Sequence, residues 1–252
     1  MAANRLHESL AEAWFLGLER HFGTIIVDKS TPEGWYRVSD KGTDADSRFL
    51  ADGSAQFSLH TDRAFSVMPP PYIGLLCEAA ASSGGESLLA DAAGLYQHIL
   101  SGAGSEALAS LFEPFYTLRR SPHEVQRPLF FYNDHRQSCF AYRGKDAATE
   151  VSFRPEFAAL MRLAEAFLAD PANTEQIQLE SGQILLIDNH RYLHGRSKFQ
   201  GRRLLYRLYF SGRNSEAPVT GFAGNEHVDR LVQERGLHRW ASDKAESLPH
   251  TA

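Results

Sequence analysis

The stretch HTDRAFSVMPPPYIGLLCEAAASSGGESLLAD, residues 60–91, decides the reading of this chain. It opens with His60-Thr61-Asp62. In an extended strand, positions i and i+2 point to the same side, so an imidazole and a carboxylate at this spacing can grip one ion. The run Met68-Pro69-Pro70-Pro71 then breaks regular structure. Residues 72–80 (YIGLLCEAA) read as a buried strand, and residues 82–86 (SSGGE) as a turn.

Outward from this stretch, the pattern is strand-rich in the centre and helical at the ends. Residues 56–60 (QFSLH) predict a strand that runs into the His60 turn. Residues 87–102 have a helical second half ending at Gly102, and ALASLFEPF (107–115) predicts a second short helix. Residues 130–143 (FFYNDHRQSCFAYR) read as a hairpin turning at Asn133-Asp134-His135. Residues 155–168 form the clearest amphipathic helix, with Phe157, Leu160, Leu163 and Phe167 on one face. QIQLESGQILLIDN (176–189) contains two strands around Ser181-Gly182, and 202–212 is a final strand. At the ends, 5–22 reads as a helix stopped by Gly23, 24–28 as a short strand, 29–55 as loops, 225–235 as a last helix, and the tail after Ser242 as frayed. No repeat or low-complexity linker divides the chain. The expectation is one domain over 1–252, mainly β with flanking helices, whose core at about 56–212 is a curled antiparallel jelly roll.

Composition narrows the function classes. The 252 residues carry 26 basic and 31 acidic side chains, a net charge of −5, which argues against a general nucleic-acid binder. Two cysteines, Cys77 and Cys139, cannot build a disulfide framework or a four-thiolate zinc site. The first residues lack a signal peptide's apolar run, and no stretch approaches the ~20 apolar residues of a membrane span. The expectation is a cytoplasmic protein with a small-molecule partner, no nucleic-acid or membrane partner, and an oligomeric state left open, a homo-oligomer included.

A second histidine would complete a metal face. His194 is the candidate, in DNHRYLHGR after the strand ILLID. Two histidines and one carboxylate leave the other face of an octahedral ion open, the arrangement of non-haem Fe(II) oxygenases. H-x-D alone is common by chance, and many histidines are surface or satisfied core residues. His190 and His194 at i, i+4 also suggest a helical zinc pair, but the strand before them and the lack of a following glutamate speak against it. His98, His123 and His135 have no second ligand at useful spacing and are read as structural. Arg203 and Arg207, four apart on a strand, face the same way. Buried among leucines they need an anion, either an internal Asp or Glu or an exogenous acid.

These motifs, in this order, resemble the TauD/TfdA family of Fe(II)/2-oxoglutarate dioxygenases. The resemblance runs from about His60 to Phe210 and covers the HTD segment, the distal-histidine segment DNHRYLHGR and the arginine segment RRLLYR. It implies a double-stranded β-helix (cupin-like) core, Fe(II) held by His60, Asp62 and His194, and 2-oxoglutarate and O2 as cosubstrates. It further implies that Arg203 and Ser87 bind the distal carboxylate of 2-oxoglutarate, Ser87 standing where the family has threonine. Arg207 matches an arginine that contacts an acidic substrate group in several members, and Arg196 matches that of an HGR variant, near substrate or in packing. Gln56, Ser58, Phe65, Tyr192 and the loop Trp35–Lys41 are further candidates for the pocket wall.

Two departures stand out. The chain before His60 is shorter than in most members, so no substrate contact transfers from that region. The nine residues from His194 to Arg203 are at the short end for the family, which makes Arg202 a competitor for the cosubstrate role. Asp62 speaks against halogenation, because halogenating relatives lack the carboxylate. The expected activity is hydroxylation of an unactivated C–H bond in a small anionic or amino-acid-derived substrate. Desaturation or cyclisation is the alternative within the family. A non-catalytic jelly-roll binding protein is the alternative of another class. A zinc hydrolase would leave Ser87 and Arg203 without a reason.

Overall fold

The computed structural model describes residues 13–28, 31–40, 52–146 and 148–239. Helix α1 covers 13–22. The first strands are β1 (Trp35–Ser39), β2 (Phe57–His60), β3 (Tyr72–Ala79), β4 (Ser83–Gly84) and β5 (Ser87–Asp91), followed by helix α2 (Ala92–Ser110). The middle of the chain contains β6 (Tyr116–Arg120), β7 (His123–Arg127), β8 (Phe130–Tyr132), β9 (Ser138–Phe140) and β10 (Glu150–Phe153), then helix α3 (Ala158–Ala169). The last strands are β11 (Glu175–Ile177), β12 (Ile184–Asp188), β13 (Tyr192–Arg196), β14 (Phe199–Gln200) and β15 (Leu204–Phe210), before helix α4 (Glu226–Glu234).

Two four-stranded antiparallel sheets form the jelly roll, in the orders β1-β15-β3-β12 and β11-β5-β13-β2. Strand β15 shows why this sequence makes a two-faced central strand. Tyr206, Leu208 and Phe210 pack on one side with Phe15 of α1 and with Tyr72 and Leu76. Leu205 and Tyr209 face the opposite way, against Val38 and Cys77 and against Ile73 and Ile187 respectively. Period-two alternation thus assigns Arg207 to the face of Leu205 and Tyr209. The largest core lies beyond the second sheet. There Leu95, Tyr96 and Ile99 of α2, Met161 and Ala164 of α3 and Val228 and Val232 of α4 pack with Phe112, Phe115, Phe130 and Phe140. Asp91 caps α2 by accepting from the Ala93 amide, and Asn225 caps α4 by accepting from the amides of His227 and Val228.

Several sequence expectations are revised. Residues 29–55 are not all loop, because β1 pairs along β15 from Trp35↔Leu208 to Ser39↔Leu204. Its sequence WYRVS carries aromatic and β-branched residues that favour a half-buried edge. The expected strand at 24–28 is reduced to isolated bridges, Ile25 with Phe210 and Asp28 with Thr31. The helix expected to end at Gly102 continues, and the two expected helices form one element broken at Gly104 (φ 84°, ψ 171°). The hairpin β6–β7 and its partner β10 add a three-stranded sheet beyond the sequence expectation. The expected hairpin at 130–143 is present as β8–β9, its turn held by Asn133 Oδ1 accepting from the amides of His135 and Gln137. The start of the 5–22 helix, all of 41–51 and the tail after Ser242 lie outside the described residues.

Candidate metal and cosubstrate site

The second sheet sets the two histidines face to face. His60 ends β2 and His194 is the middle of β13, and the two are direct cross-strand partners. Their rings lie 4.5 Å apart. Gly195 permits this approach, since a Cβ there would stand 2.6 Å from the Phe57 carbonyl oxygen. Asp62 follows β2 and turns its carboxylate back to the pair. Its Oδ1 is 3.4 Å from His60 Nε2 and its Oδ2 is 3.7 Å from His194 Nε2. One ligand atom from each of the three buried residues lies within 4.8 Å of the others.

Asn189 fixes Asp62 from behind. Its Oδ1 accepts from the Asp62 amide at 2.9 Å, and its Nδ2 donates to the carbonyls of Asp62 and Pro70. Tyr209 donates to Asp62 Oδ2 at 2.9 Å, and Arg207 Nη1 reaches the same oxygen at 3.1 Å. Burial lowers the pKa of both imidazoles, that of His194 to about 3. Burial opposes the charged form of Asp62, yet Arg207 and the imidazoles hold its carboxyl well below the usual range. Two neutral imidazoles and one carboxylate anion are the protonation states a divalent metal requires. His60 Nδ1 is 2.8 Å from the Ser58 carbonyl oxygen, which leaves Nε2 as the metal-facing nitrogen, and this buried Nε2 has no hydrogen-bond partner. An orphaned buried nitrogen beside a carboxylate and a second imidazole fits a metal ion, and the donor set suits Fe(II).

Beside the triad is a cavity of about 50 Å³ lined by Ser87, His194, Arg196, Arg203 and Arg207, with Val38, Phe57, Leu75 and Leu205 as apolar wall. Arg203 is 7 % exposed, and it has no hydrogen bond or ion pair among the described residues. Burial lowers its pKa to about 10. Its side chain passes 3.1 Å from where a Cβ on Gly85 would sit, so the glycine turn makes room for it. Arg202, the competitor, is 71 % exposed at its side chain and pairs with Glu78 outside. Arg196 is opposite Ser87 in the sheet. It lines the small cavity, but its Nη2 is taken by the carbonyls of Gly53 and Ala55, and it lies over Phe199.

A larger cavity of about 600 Å³ opens on the other side of Asp62. Phe65 and Tyr36 line it, together with Arg63, Arg120, His123, Arg143, Arg207 and Tyr209. Of the two partners the sequence allows, Arg207 thus has the internal carboxylate, Asp62, while still reaching the cavity. Gln56 and Ser58 are not brought here. They face a separate cavity of about 390 Å³ against Glu165 and Leu168. Strict alternation would put both on the side of His60, but the β2–β13 register slips between His60↔His194 and Phe57↔Arg196, and this irregularity breaks the period-two pattern ahead of His60. Tyr192 packs against Ile73 and Ile187. Within the proposed loop wall, Trp35–Ser39 is strand and Lys41 lies outside the described residues. His98 packs on Phe167 and His135 sits in the exposed β8–β9 turn, whereas His123 lines the larger cavity. Sequence reading missed Tyr209, Asn189 and Arg143. Tyr209 was legible from its i+2 spacing to Arg207; the other two depend on long-range packing.

The sequence profile of the family described as Taurine catabolism dioxygenase TauD, TfdA family matches residues 5–209. The chain belongs to the TauD/TfdA family. Solved structures repeat this family's fold. An asparagine oxygenase in complex with Fe(II), 2S,3S-3-hydroxyasparagine and succinate superposes with a TM-score of 0.56 at 21% identity, covering 75% of this chain and 62% of that one. The non-haem iron oxygenase OrfP with Fe, succinate and (3S)-hydroxy-L-Arg gives 0.54 at 19% identity, covering 74% and 64%. The same OrfP with Fe and alpha-ketoglutaric acid gives 0.52 at 21% identity, covering 74% and 62%. The chain therefore spans less than two-thirds of the length of these TauD-like structures. No curated protein matches it significantly. No helix among the described residues is long and apolar enough to cross a membrane.

Proposed function

We propose that this chain is an Fe(II)/2-oxoglutarate-dependent oxygenase that hydroxylates an unactivated C–H bond of a small anionic or amino-acid-derived substrate. The observation that carries this reading is Arg203, a buried cation with no hydrogen-bond or ion-pair partner among the described residues, lining one small cavity with Ser87 and His194. An unpaired buried guanidinium calls for an exogenous anion. One that shares its cavity with a metal-ligand candidate calls for an anion that also reaches the metal.

In this reading His60, Asp62 and His194 hold Fe(II). Arg203 and Ser87 take the distal carboxylate of 2-oxoglutarate, a bidentate guanidinium contact supplemented by a hydroxyl. The bound iron, with 2-oxoglutarate and O2, supplies the oxidising power for C–H cleavage. Arg207 and Tyr209 anchor Asp62, so the carboxylate stays ionised and aimed. The apolar wall of Val38, Leu75 and Leu205 keeps water from the cosubstrate pocket. The larger cavity, with Phe65 and Tyr36 on its wall, positions the substrate carbon near the metal. The amino acids named in the asparagine oxygenase and OrfP complexes support an amino-acid-derived substrate.

Anaerobic titration with Fe(II) and 2-oxoglutarate tests the reading. A visible charge-transfer band that saturates at one equivalent of each is expected, followed by substrate-dependent succinate release in air. Metal binding without any 2-oxoglutarate-dependent band would refute it.

A further inference from the structure

The 600 Å³ cavity contains a second arginine feature that the resemblance does not assign. Arg143 follows strand β9, and its position relative to the metal ligands is set by a double clamp. The Thr61 amide donates to the Tyr142 carbonyl at 2.9 Å, and the Tyr142 amide donates to Thr61 Oγ1 at 3.0 Å. Thr61 is the residue between His60 and Asp62, and Tyr142 is the residue before Arg143. The Arg143 guanidinium carbon lies 5.0 Å from the centre of the Phe57 ring, and the other neighbour of that ring is His60, with centroids 4.2 Å apart. One aromatic ring therefore separates Arg143 from a candidate metal ligand.

Arg143 is ion-paired like the other arginines of the wall, but its carboxylate partner also serves a second arginine. Arg63 pairs with Asp28, Arg207 with Asp62, and Glu124 with Arg119. Arg143 donates from Nε at 3.0 Å and Nη2 at 2.6 Å to a single oxygen, Asp146 Oδ2. Arg120 Nη2 reaches that same oxygen at 3.4 Å. The other Asp146 oxygen accepts from the Ala148 amide at 2.9 Å. One carboxylate oxygen thus carries two guanidiniums. Arg143 Nη1 has no protein partner among the described residues. The Arg143 side chain is only 14 % exposed, so its orientation is held by packing and by Asp146 rather than left to solvent.

We propose that Arg143 binds an anionic group of the substrate, so that the preferred substrates are small acids or acidic amino acids rather than their neutral counterparts. This inference rests on the oxygenase reading above, which it deepens by naming the substrate class. Arg207 has Asp62 as its partner, whereas Arg143 shares its Asp146 oxygen with Arg120 and keeps Nη1 without a protein partner among the described residues, so the acid-recognition role falls to Arg143. The Asp146 carboxylate orients the guanidinium without exhausting its donors, and Phe57 sets the distance from the acid group to the metal.

The test compares isosteric acid and amide pairs by calorimetry under anaerobic conditions: L-aspartate against L-asparagine, L-glutamate against L-glutamine, and succinate against succinamate. The full chain carries Fe(II) and 2-oxoglutarate in one arm and neither in the other. The acid of at least one pair should bind about ten-fold more tightly than its amide, the size of one charge-assisted hydrogen bond. Arg143→Gln should abolish that preference and Arg143→Lys should keep part of it, both with an unchanged 2-oxoglutarate charge-transfer band. Equal binding of acid and amide, no binding of any acid, or a preference that survives in Arg143→Gln overturns the proposal. A band with no acid preference refutes Arg143 alone. An acid preference without the band refutes the iron reading alone and upholds Arg143 as an acid-binding residue.

Discussion

Arg203 supports a prediction whose sign reverses with ligand. In the free protein its guanidinium is buried with no hydrogen-bond or ion-pair partner among the described residues, and its pKa falls from 12.5 to about 10. A drop of that size is a penalty of about 3 kcal/mol on the charged form in the folded state, present at any pH below about 10. Arg203→Met removes the charge and keeps an unbranched apolar stem. The lost contact with Phe199, 5.7 Å from the guanidinium, offsets about 1 kcal/mol. The net gain of about 2 kcal/mol corresponds to a Tm about 4–8 °C above wild type for a domain of this size. The cosubstrate responds in the opposite direction. Truncating one side of a buried, hydrogen-bonded charge pair costs about 2–5 kcal/mol, so the 2-oxoglutarate requirement should rise roughly 30-fold or more. Differential scanning fluorimetry of the metal-free protein reads the first effect. Succinate formation against 2-oxoglutarate concentration reads the second. A lower Tm for metal-free Arg203→Met, together with an unchanged 2-oxoglutarate dependence, would refute the view that this arginine waits for an anion.

Asp62→Ala should abolish turnover while retaining the far-UV circular dichroism of the wild type. Its Tm should fall, because Arg207 and Tyr209 lose their buried partner; wild-type succinate release would remove Asp62 from the metal site. Asn189→Ala removes three hydrogen bonds that hold the Asp62 and Pro70 backbone. It should cost about 2–4 kcal/mol of stability in urea denaturation and weaken Fe(II) binding about 10- to 100-fold, and unaltered iron affinity would contradict its aiming role. His190 is buried between Thr220 and the Pro69 carbonyl, and burial lowers its pKa to about 4. The unfolded chain therefore binds a proton that the native state refuses between about pH 6.5 and 4, and the His190 contribution is lost as pH falls through that window. Asp188 beside it, raised by burial to about 6, titrates with the opposite sign in both wild type and His190→Gln. The stability gap between the two proteins should narrow by about 3 kcal/mol from pH 7 to 4, and a constant gap would count against this account.

What the sequence made legible follows from local spacing. The H-x-D spacing pairs His60 with Asp62 as the sequence predicts, although β2 ends at His60 and it is the turn beyond the strand that brings the carboxylate back; alternation in β15 explains why Arg207 and Tyr209 share the face that meets Asp62. The amphipathic period of 155–168 predicts α3, although its first turn is 3-10 from Pro155 to Phe157. What escaped depends on partners remote in the chain. Strand β1 has a loop-like neighbourhood of Gly, Asp and Lys and owes its conformation to pairing with β15. Strands β6 and β10 do alternate, with Tyr116 and Leu118 and with Val151 and Phe153 inward, but over only four or five residues and beside charged outer faces, a run too short to stand out. Gln56 lies an even number of residues before His60, yet the register irregularity of β2 against β13 leaves it at the other cavity. Arg143 and Asn189 become neighbours of the metal ligands only through the clamp on Thr61 and the bonds to the Asp62 backbone.

Cys77 and Cys139 are both free, so nothing covalent ties distant parts of this jelly roll together. The facing pair His60 and His194 offers a substitute. A cation held between them would act as a rivet through two adjacent strands whose residues are separated by more than half the chain, closing a long loop of polypeptide. Chelation would then unfasten the sheet as well as silence the chemistry. The resistance of this domain to heat would track iron supply in a way that a disulfide-laced protein of the same size would not.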